Sequence, residues 1–109
     1  MIKKKLIRDK IHEIYQHRPM HIADDAEYSE ELIKKFEIEV EKLKKGMKSE
    51  DLIDIIELCY AISEFKGVAL KELNKMRADK AAKRGRFKKR IIFDEVDPER
   101  TLDLNEGEQ

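Results

Sequence analysis

Residues 49–65 have the sequence SEDLIDIIELCYAISEF. Apolar residues occupy most positions from Leu52 to Phe65, so a helix formed here has almost no polar face. Such a helix is buried on most sides, either at the centre of its own domain or in an interface between copies of the chain. Ser49 is followed by two acids, which predicts a helix start at this point because Ser caps a helix and acids suit its positive end.

A second helix is predicted immediately before this segment. Ser29 is its expected N-cap, and Gly46 lies near its expected end. The connection at residues 45–48 is short, so the two helices are expected to form an antiparallel hairpin. Apolar residues recur in this region at steps of three and four, as in one helical stripe: Leu32, Ile33, Phe36, Val40, Leu43 and Met47.

The flanking regions complete a predicted all-α fold. A short helical segment is expected from Asp9 to Tyr15, and a third long helix from Leu70 to Arg84. Residues 91–93, Ile-Ile-Phe, are expected to form a small strand or a short extended C-terminal arm. We therefore predict an antiparallel helical bundle in residues 1–96 and a polar, disordered tail in residues 97–109.

Composition favours a helical oligomer over a self-sufficient globule. The chain has 109 residues, of which 44% are charged and 6% aromatic, so its own core is modest. Long amphipathic helices that share an interface with a second copy fit this composition. The 24 basic residues balance the 24 acidic ones, so no net field favours nucleic acid.

The same sequence predicts a cytoplasmic protein. Its apolar stretches are too short and too interrupted to cross a bilayer, and the basic start is not followed by the apolar region of a signal peptide. Its single cysteine, Cys59, lies in an apolar run and is expected to be a buried thiol in a reducing compartment. We expect the histidines, His12, His17 and His21, to be surface residues rather than metal ligands.

Acidic residues on the two hairpin helices predict a metal site. Asp51 and Asp54 are three residues apart, so they face the same way on a helix, and Asp54 interrupts an otherwise apolar segment. Glu37, Glu39 and Glu41 lie on the preceding helix, at heights that the hairpin makes compatible with a shared site. Clustered carboxylates repel unless a cation lies among them, and Mg²⁺ or Mn²⁺ is the usual occupant of an all-oxygen site.

Four short sequence motifs occur in order along the chain. They are KLIRDKI (residues 5–11), Y-x-x-x-L-x-x-K (28–35), EDLIDIIE (50–57) and K-x-x-K-R-G-x-F (80–87). In this order they resemble the MazG-like all-α nucleoside triphosphate pyrophosphohydrolases, in particular the small phosphoribosyl-ATP pyrophosphohydrolase-like subgroup. The resemblance covers roughly residues 4–93. It implies a metal-dependent four-helix core, assembled as a dimer or tetramer, that hydrolyses nucleoside triphosphates between the α and β phosphates to the monophosphate and pyrophosphate, as house-cleaning enzymes do.

The metal-binding pattern of that superfamily is E-x-x-E followed by E-x-x-D. Carried over to this chain, its second half falls on Asp51 and Asp54, and its first half on Glu39 and position 42. Position 42 is Lys42, which cannot ligate a metal. The resemblance therefore implies that Glu39, Asp51 and Asp54 hold Mg²⁺, with Mn²⁺ as a substitute.

The remaining roles concern the substrate. Glu57 continues the three-residue step and is the predicted acceptor of the proton from the attacking water. Basic residues are expected to bind the phosphates of the nucleoside triphosphate: Arg8, Lys10, Lys35, Lys80, Lys83 and Arg84.

Two other functions compete with hydrolysis. A catalytically silent MazG-like oligomer that binds a nucleotide or a protein partner is favoured by Lys42 in the metal motif. A nucleic-acid-binding module that uses the basic residues 80–90 is ranked last, because the net charge is zero and few aromatic residues are present for stacking. Pyrophosphate release from a panel of triphosphates separates the first reading from both rivals.

Overall fold

A computed structural model of the chain describes residues 4–94. Over this range the regular structure is entirely helical, which confirms the prediction of an all-α fold. The elements in chain order are α1 (Ile11–Ile14), α2 (Asp25–Gly46), α3 (Ser49–Phe65) and α4 (Leu70–Arg84).

The start of α2 differs from the prediction. Asp24, not Ser29, is the N-cap: its Oδ1 accepts a hydrogen bond from the backbone N–H of Glu27 at 2.9 Å. Asp24 is an equally competent cap that the chain meets first, and the intervening residues all tolerate helical geometry. The helix therefore extends one turn further toward the N-terminus.

The end of α2 at Gly46 agrees with the prediction, but the left-handed residue there is Met47. Met47 has φ 52°, and its N–H donates to the carbonyl of Leu43 at 2.8 Å. Ser49 begins α3 as predicted, although Lys48 occupies the N-cap position and makes no side-chain cap. The predicted capping role of Ser49 is thus wrong.

Helices α2 and α3 form the predicted antiparallel hairpin. Only Met47 and Lys48 connect them. At the open end the rings of Tyr28 and Phe65 pack edge to face, with centroids 5.4 Å apart. The first turn of α2 therefore lies beside the last turn of α3, and the connection and the aromatic pair fix the register from both ends.

Burial is sparse along this hairpin. Among residues 4–94 the buried side chains are Leu32, Glu39 and Ser63. Leu52, Ile53 and Ile56 on α3 are about half exposed. Burial of α3 at the centre of its own chain is therefore not observed, since α2 covers one side of it, and the second predicted environment, an interface between copies, stays a prediction.

The thiol of Cys59 is exposed, so its predicted burial is wrong. The apolar run that contains Cys59 covers most of the helix circumference, whereas a single neighbouring helix shields only part of it. Hydrophobic sequence alone therefore did not indicate which side of α3 is covered.

The turn after α3 is held by Ser63, whose Oγ donates to the carbonyl of Val68 at 2.9 Å. Gly67 has φ 88°, a left-handed conformation that only glycine adopts without strain. On the first turns of α4, the Asn74 Oδ1 accepts a hydrogen bond from the Tyr60 hydroxyl at 3.4 Å.

The chain divides into two compact units between Arg77 and Ala78. The second unit contains the end of α4, which stops at Arg84 before a left-handed Gly85, as predicted. Residues 91–93 are irregular, so the strand alternative is wrong. The predicted boundary at residue 96 and the tail in residues 97–109 lie outside the described residues. None of the helices between residues 4 and 94 has both the length and the apolar character that crossing a membrane requires.

Leu32 tests the importance of the hairpin core. Leu32→Ala is expected to lower the free energy of unfolding by about 2–5 kcal/mol, because it removes buried methyl groups and leaves a cavity. Ile33→Ala is the matched control: the neighbouring residue is 49% exposed, and its loss is expected to cost about 1 kcal/mol. Urea denaturation measures both values, and equal losses would contradict this assignment of the core.

Candidate functional site

Glu39 is a buried carboxylate in the middle of α2. The residue is 1% exposed. Two ammonium groups contact the same oxygen, Oε1: Lys42 Nζ at 3.3 Å and Lys35 Nζ at 3.5 Å. The other oxygen, Oε2, is also buried, and no hydrogen-bond donor contacts it within the described chain. Both cations therefore contact one carboxylate oxygen, while the other oxygen accepts no hydrogen bond within the described chain.

Helical spacing explains this arrangement. Glu39 lies seven residues after Leu32, so both residues occupy the same inward stripe of α2. Lys35 and Lys42 lie four residues before and three residues after Glu39, which are the neighbouring positions on a helix surface. A charge taken out of water costs several kcal/mol even after relaxation, and the two ammonium groups offset part of that cost.

Asp54 is half-buried on α3 and forms an ion pair with Arg8. The Arg8 Nη2 donates to the Asp54 Oδ1 at 2.6 Å, a short charge-assisted contact. Arg8 was predicted to bind phosphate, and in the described chain its partner is this carboxylate. Asp51, one turn earlier, is also half-buried.

The three predicted ligands are not gathered into one group. Nowhere between residues 4 and 94 do three or more acidic, histidine or cysteine side chains come close enough to hold a metal ion. Mg²⁺ is, however, commonly held by one or two carboxylates, with water and phosphate oxygens completing its shell. Glu39 offers one unpartnered oxygen, Oε2, but two ammonium groups contact its other oxygen, so the charge around this carboxylate does not favour a divalent cation. Coordination by Glu39, Asp51 and Asp54 stays a prediction.

The other predicted site residues are mostly exposed and belong to both units. Glu57 is exposed, one turn after Asp54, and Lys10 is exposed before α1. Lys80 and Lys83 are exposed and Arg84 is half-buried; these three belong to the second unit. Their predicted roles toward a substrate are untested by this structure.

One polar cluster was not predicted from the sequence. His21 Nε2 lies 2.7 Å from Glu27 Oε1, and Lys4 Nζ lies 3.7 Å from Glu27 Oε2. His12, His17 and His21 are exposed, as predicted. No spacing rule indicates this cluster, because it joins the segment before α2 to the first turn of that helix.

The outward side of α2 is a solvated charged surface. Hydrogen bonds from Lys34 to Glu30 and then to Glu31 raise the pKa of Lys34 above its ordinary value. Lys34 is exposed, so this shift describes a surface ion pair rather than a site.

Comparison of the chain with models of protein families, with curated proteins and with solved structures finds no match.

The Arg8–Asp54 pair is expected to be weak enough for a ligand to displace. A double-mutant cycle with Arg8→Gln and Asp54→Asn should give a coupling energy of at most about 1 kcal/mol, because both side chains are partly exposed. The coupling should also fall in roughly 1 M salt, where screening acts over a few ångströms. A coupling of several kcal/mol that is insensitive to salt would show that Arg8 holds Asp54 permanently.

Proposed function

We propose that this protein is a Mg²⁺-dependent nucleoside triphosphate pyrophosphohydrolase of the MazG-like type. It cleaves between the α and β phosphates and releases a nucleoside monophosphate and pyrophosphate, a house-cleaning reaction. The observation that carries the proposal is the buried carboxylate of Glu39, with one unpartnered oxygen inside a helix hairpin whose second member carries Asp51 and Asp54. An unfilled buried acceptor is unusual in a folded protein, and a bound ion is one of its accepted explanations.

The residues divide the chemistry among them. Mg²⁺ held by Glu39, Asp51 and Asp54 would neutralise charge on the triphosphate. Glu57 is exposed and carries no metal role, so it accepts the proton of the attacking water. The water oxygen bonds to one phosphorus, and the α–β bridging oxygen leaves that phosphorus.

Basic side chains compensate the charge of the substrate and the departing pyrophosphate. Lys35 is the best placed within the first unit, because its Nζ already lies 3.5 Å from the Glu39 carboxylate. Arg8 and Lys10 belong to the same unit.

A second candidate function is the catalytically silent helical oligomer that binds a nucleotide or a protein partner. It is favoured by a specific observation: Glu39 and Asp54 both have cationic partners from their own chain. Such a scaffold needs no metal to balance these charges. This alternative keeps the hairpin and the nucleotide or partner surface but loses hydrolysis.

Self-association is the third part of the proposal. Leu52, Ile53 and Ile56 project apolar surface from α3, which fits an interface with a second copy in a dimer or tetramer. Burial of apolar side chains is the largest favourable term in such an interface.

Hydrolysis is tested by pyrophosphate release from a panel of nucleoside triphosphates with Mg²⁺. Glu39→Gln and Asp54→Asn should each lower kcat/KM roughly 100-fold or more, because charge stabilisation by a bound metal is worth several kcal/mol. Glu41→Gln is the matched control: it lies on the same helix, is exposed, and should keep wild-type activity. Release of no pyrophosphate from any triphosphate would favour the silent oligomer.

Light scattering tests the interface. The wild-type chain should have the mass of a dimer or tetramer, and Ile53→Lys should shift it toward the monomer because a charge cannot be buried there cheaply. Lys71→Glu, an exposed charge reversal on α4, should leave the mass unchanged. A monomeric wild-type chain, or an Ile53→Lys variant that keeps its assembly, would refute this interface.

A further inference from the structure

We propose that residues 86–93, Arg-Phe-Lys-Lys-Arg-Ile-Ile-Phe, bind the surface of a membrane that contains anionic lipids. These residues, the RFKKRIIF segment, follow α4 and lie entirely in the second unit. The inference goes beyond the proposed function and is independent of it, because no residue of the segment takes part in the proposed hydrolysis.

The RFKKRIIF segment combines positive charge with exposed apolar side chains. It contains four basic residues, four apolar residues and no acid, and all of them are exposed. Phe87 is 96% exposed, and Ile91, Ile92 and Phe93 are 79%, 77% and 60% exposed. Single exposed apolar residues are ordinary on a protein surface, whereas a cluster of them indicates an interaction surface.

The backbone brings the two kinds of residue together at one turn. The N–H of Arg90 donates to the carbonyl of Phe87 at 3.3 Å, which closes a four-residue turn. Lys88 and Lys89 therefore occupy the tip of the turn, Phe87 begins it, and Ile91 follows it directly. Cations and apolar residues are thus neighbours in one short stretch of exposed chain.

A membrane with anionic lipids matches both features. Its negative surface attracts Lys and Arg, and each such residue near the surface strengthens binding about fivefold. The boundary between headgroups and acyl chains accepts Ile and Phe side chains, which gain by leaving water. Charge therefore draws the segment to the surface, and apolar burial holds it there.

Two other partners match only one of these features. A nucleic acid offers phosphates to the cations and bases to the two Phe rings, but it has no apolar interior for Ile91 and Ile92. A second copy would cover the apolar residues, but a two-fold interface would bring the cations of both copies together, and like charges repel. The membrane is the partner that satisfies the whole segment.

The test is co-sedimentation of the purified full chain with vesicles of phosphatidylcholine alone, or of phosphatidylcholine with about 30% phosphatidylglycerol to supply negative charge. The wild-type chain should bind the anionic vesicles more than about tenfold more strongly than the neutral ones, because the cations contribute only there. Added salt should weaken the binding, since it screens the surface charge.

The contribution of charge is measured by replacing Lys88 and Lys89 together with Gln. This double variant should bind anionic vesicles about 25-fold more weakly, or about fivefold for each charge lost. The matched control replaces Lys44 and Lys45, which are also adjacent and exposed but lie on α2. It removes the same net charge and should stay within about twofold of wild type, because attraction to the membrane is short-ranged.

The apolar contribution is measured with Ile91→Ser, which should weaken binding to anionic vesicles about tenfold because it removes apolar surface that enters the lipid. Ile22→Ser is the matched control: Ile22 is 97% exposed, lies before α2, and should be replaceable without effect. Circular dichroism checks that each variant keeps its helical content.

Several outcomes would overturn the inference. One is no binding to anionic vesicles, and another is an equal loss in the Lys88/Lys89 and Lys44/Lys45 variants. Binding of a single-stranded RNA oligonucleotide, together with vesicle binding that is unchanged in Ile91→Ser, would assign the segment to nucleic acid. A lower mass of Ile91→Ser in light scattering, with unchanged vesicle binding, would assign it to a second copy. Pyrophosphate release, measured without vesicles, tests the hydrolase separately.

Discussion

A carboxylate buried between two helices is the constraint around which the described structure is arranged. Glu39 shares its inward stripe with Leu32, so the packing that buries the apolar side chain also takes the charge out of water. The cost of that desolvation is offset locally by Lys35 and Lys42, the two positions that helical geometry makes adjacent.

The ion pairs of Glu39 and Asp54 are compatible with both proposed functions, the hydrolase and the silent oligomer. The carboxylates of Glu39 and Asp54 are both paired with cations of their own chain. Both ion pairs include a partly exposed basic side chain, and pairs of this kind exchange readily for other partners. In the proposed hydrolase, a metal ion and a triphosphate would offer these groups new partners: an ion for the carboxylates and phosphate oxygens for the basic side chains.

Features that depend on residues close together in the sequence could be predicted, whereas contacts between distant residues could not. The end of α2 at Gly46 and that of α4 before Gly85 depend on a few neighbouring residues and were predicted, as was the hairpin, because two connecting residues permit no other path. The start of α2 was misplaced by one turn because Asp24 and Ser29 are both competent caps. The sequence also predicts Glu39 as a site residue, although not its burial.

The features that the sequence does not determine are contacts between elements. Glu39, Asp51 and Asp54 lie at similar distances from the connection between the two helices, which is why a shared site is predicted. Whether their side chains meet depends on the rotation of each helix about its axis, and sequence spacing does not determine that rotation. The contact of Arg8 with Asp54 joins residues 46 positions apart, beyond any periodic pattern. The exposure of Cys59 has the same origin, since an apolar circumference does not indicate which side is covered.

Crystals of the protein soaked in Mn²⁺ and measured at the manganese absorption edge give the most direct test of the central claim, that the buried carboxylate is a cation site. We expect an anomalous peak beside the Glu39 carboxylate. Absence of a peak there, with Lys42 still on Glu39 at saturating Mn²⁺, would contradict the metal site and leave Glu39 as a structural ion pair.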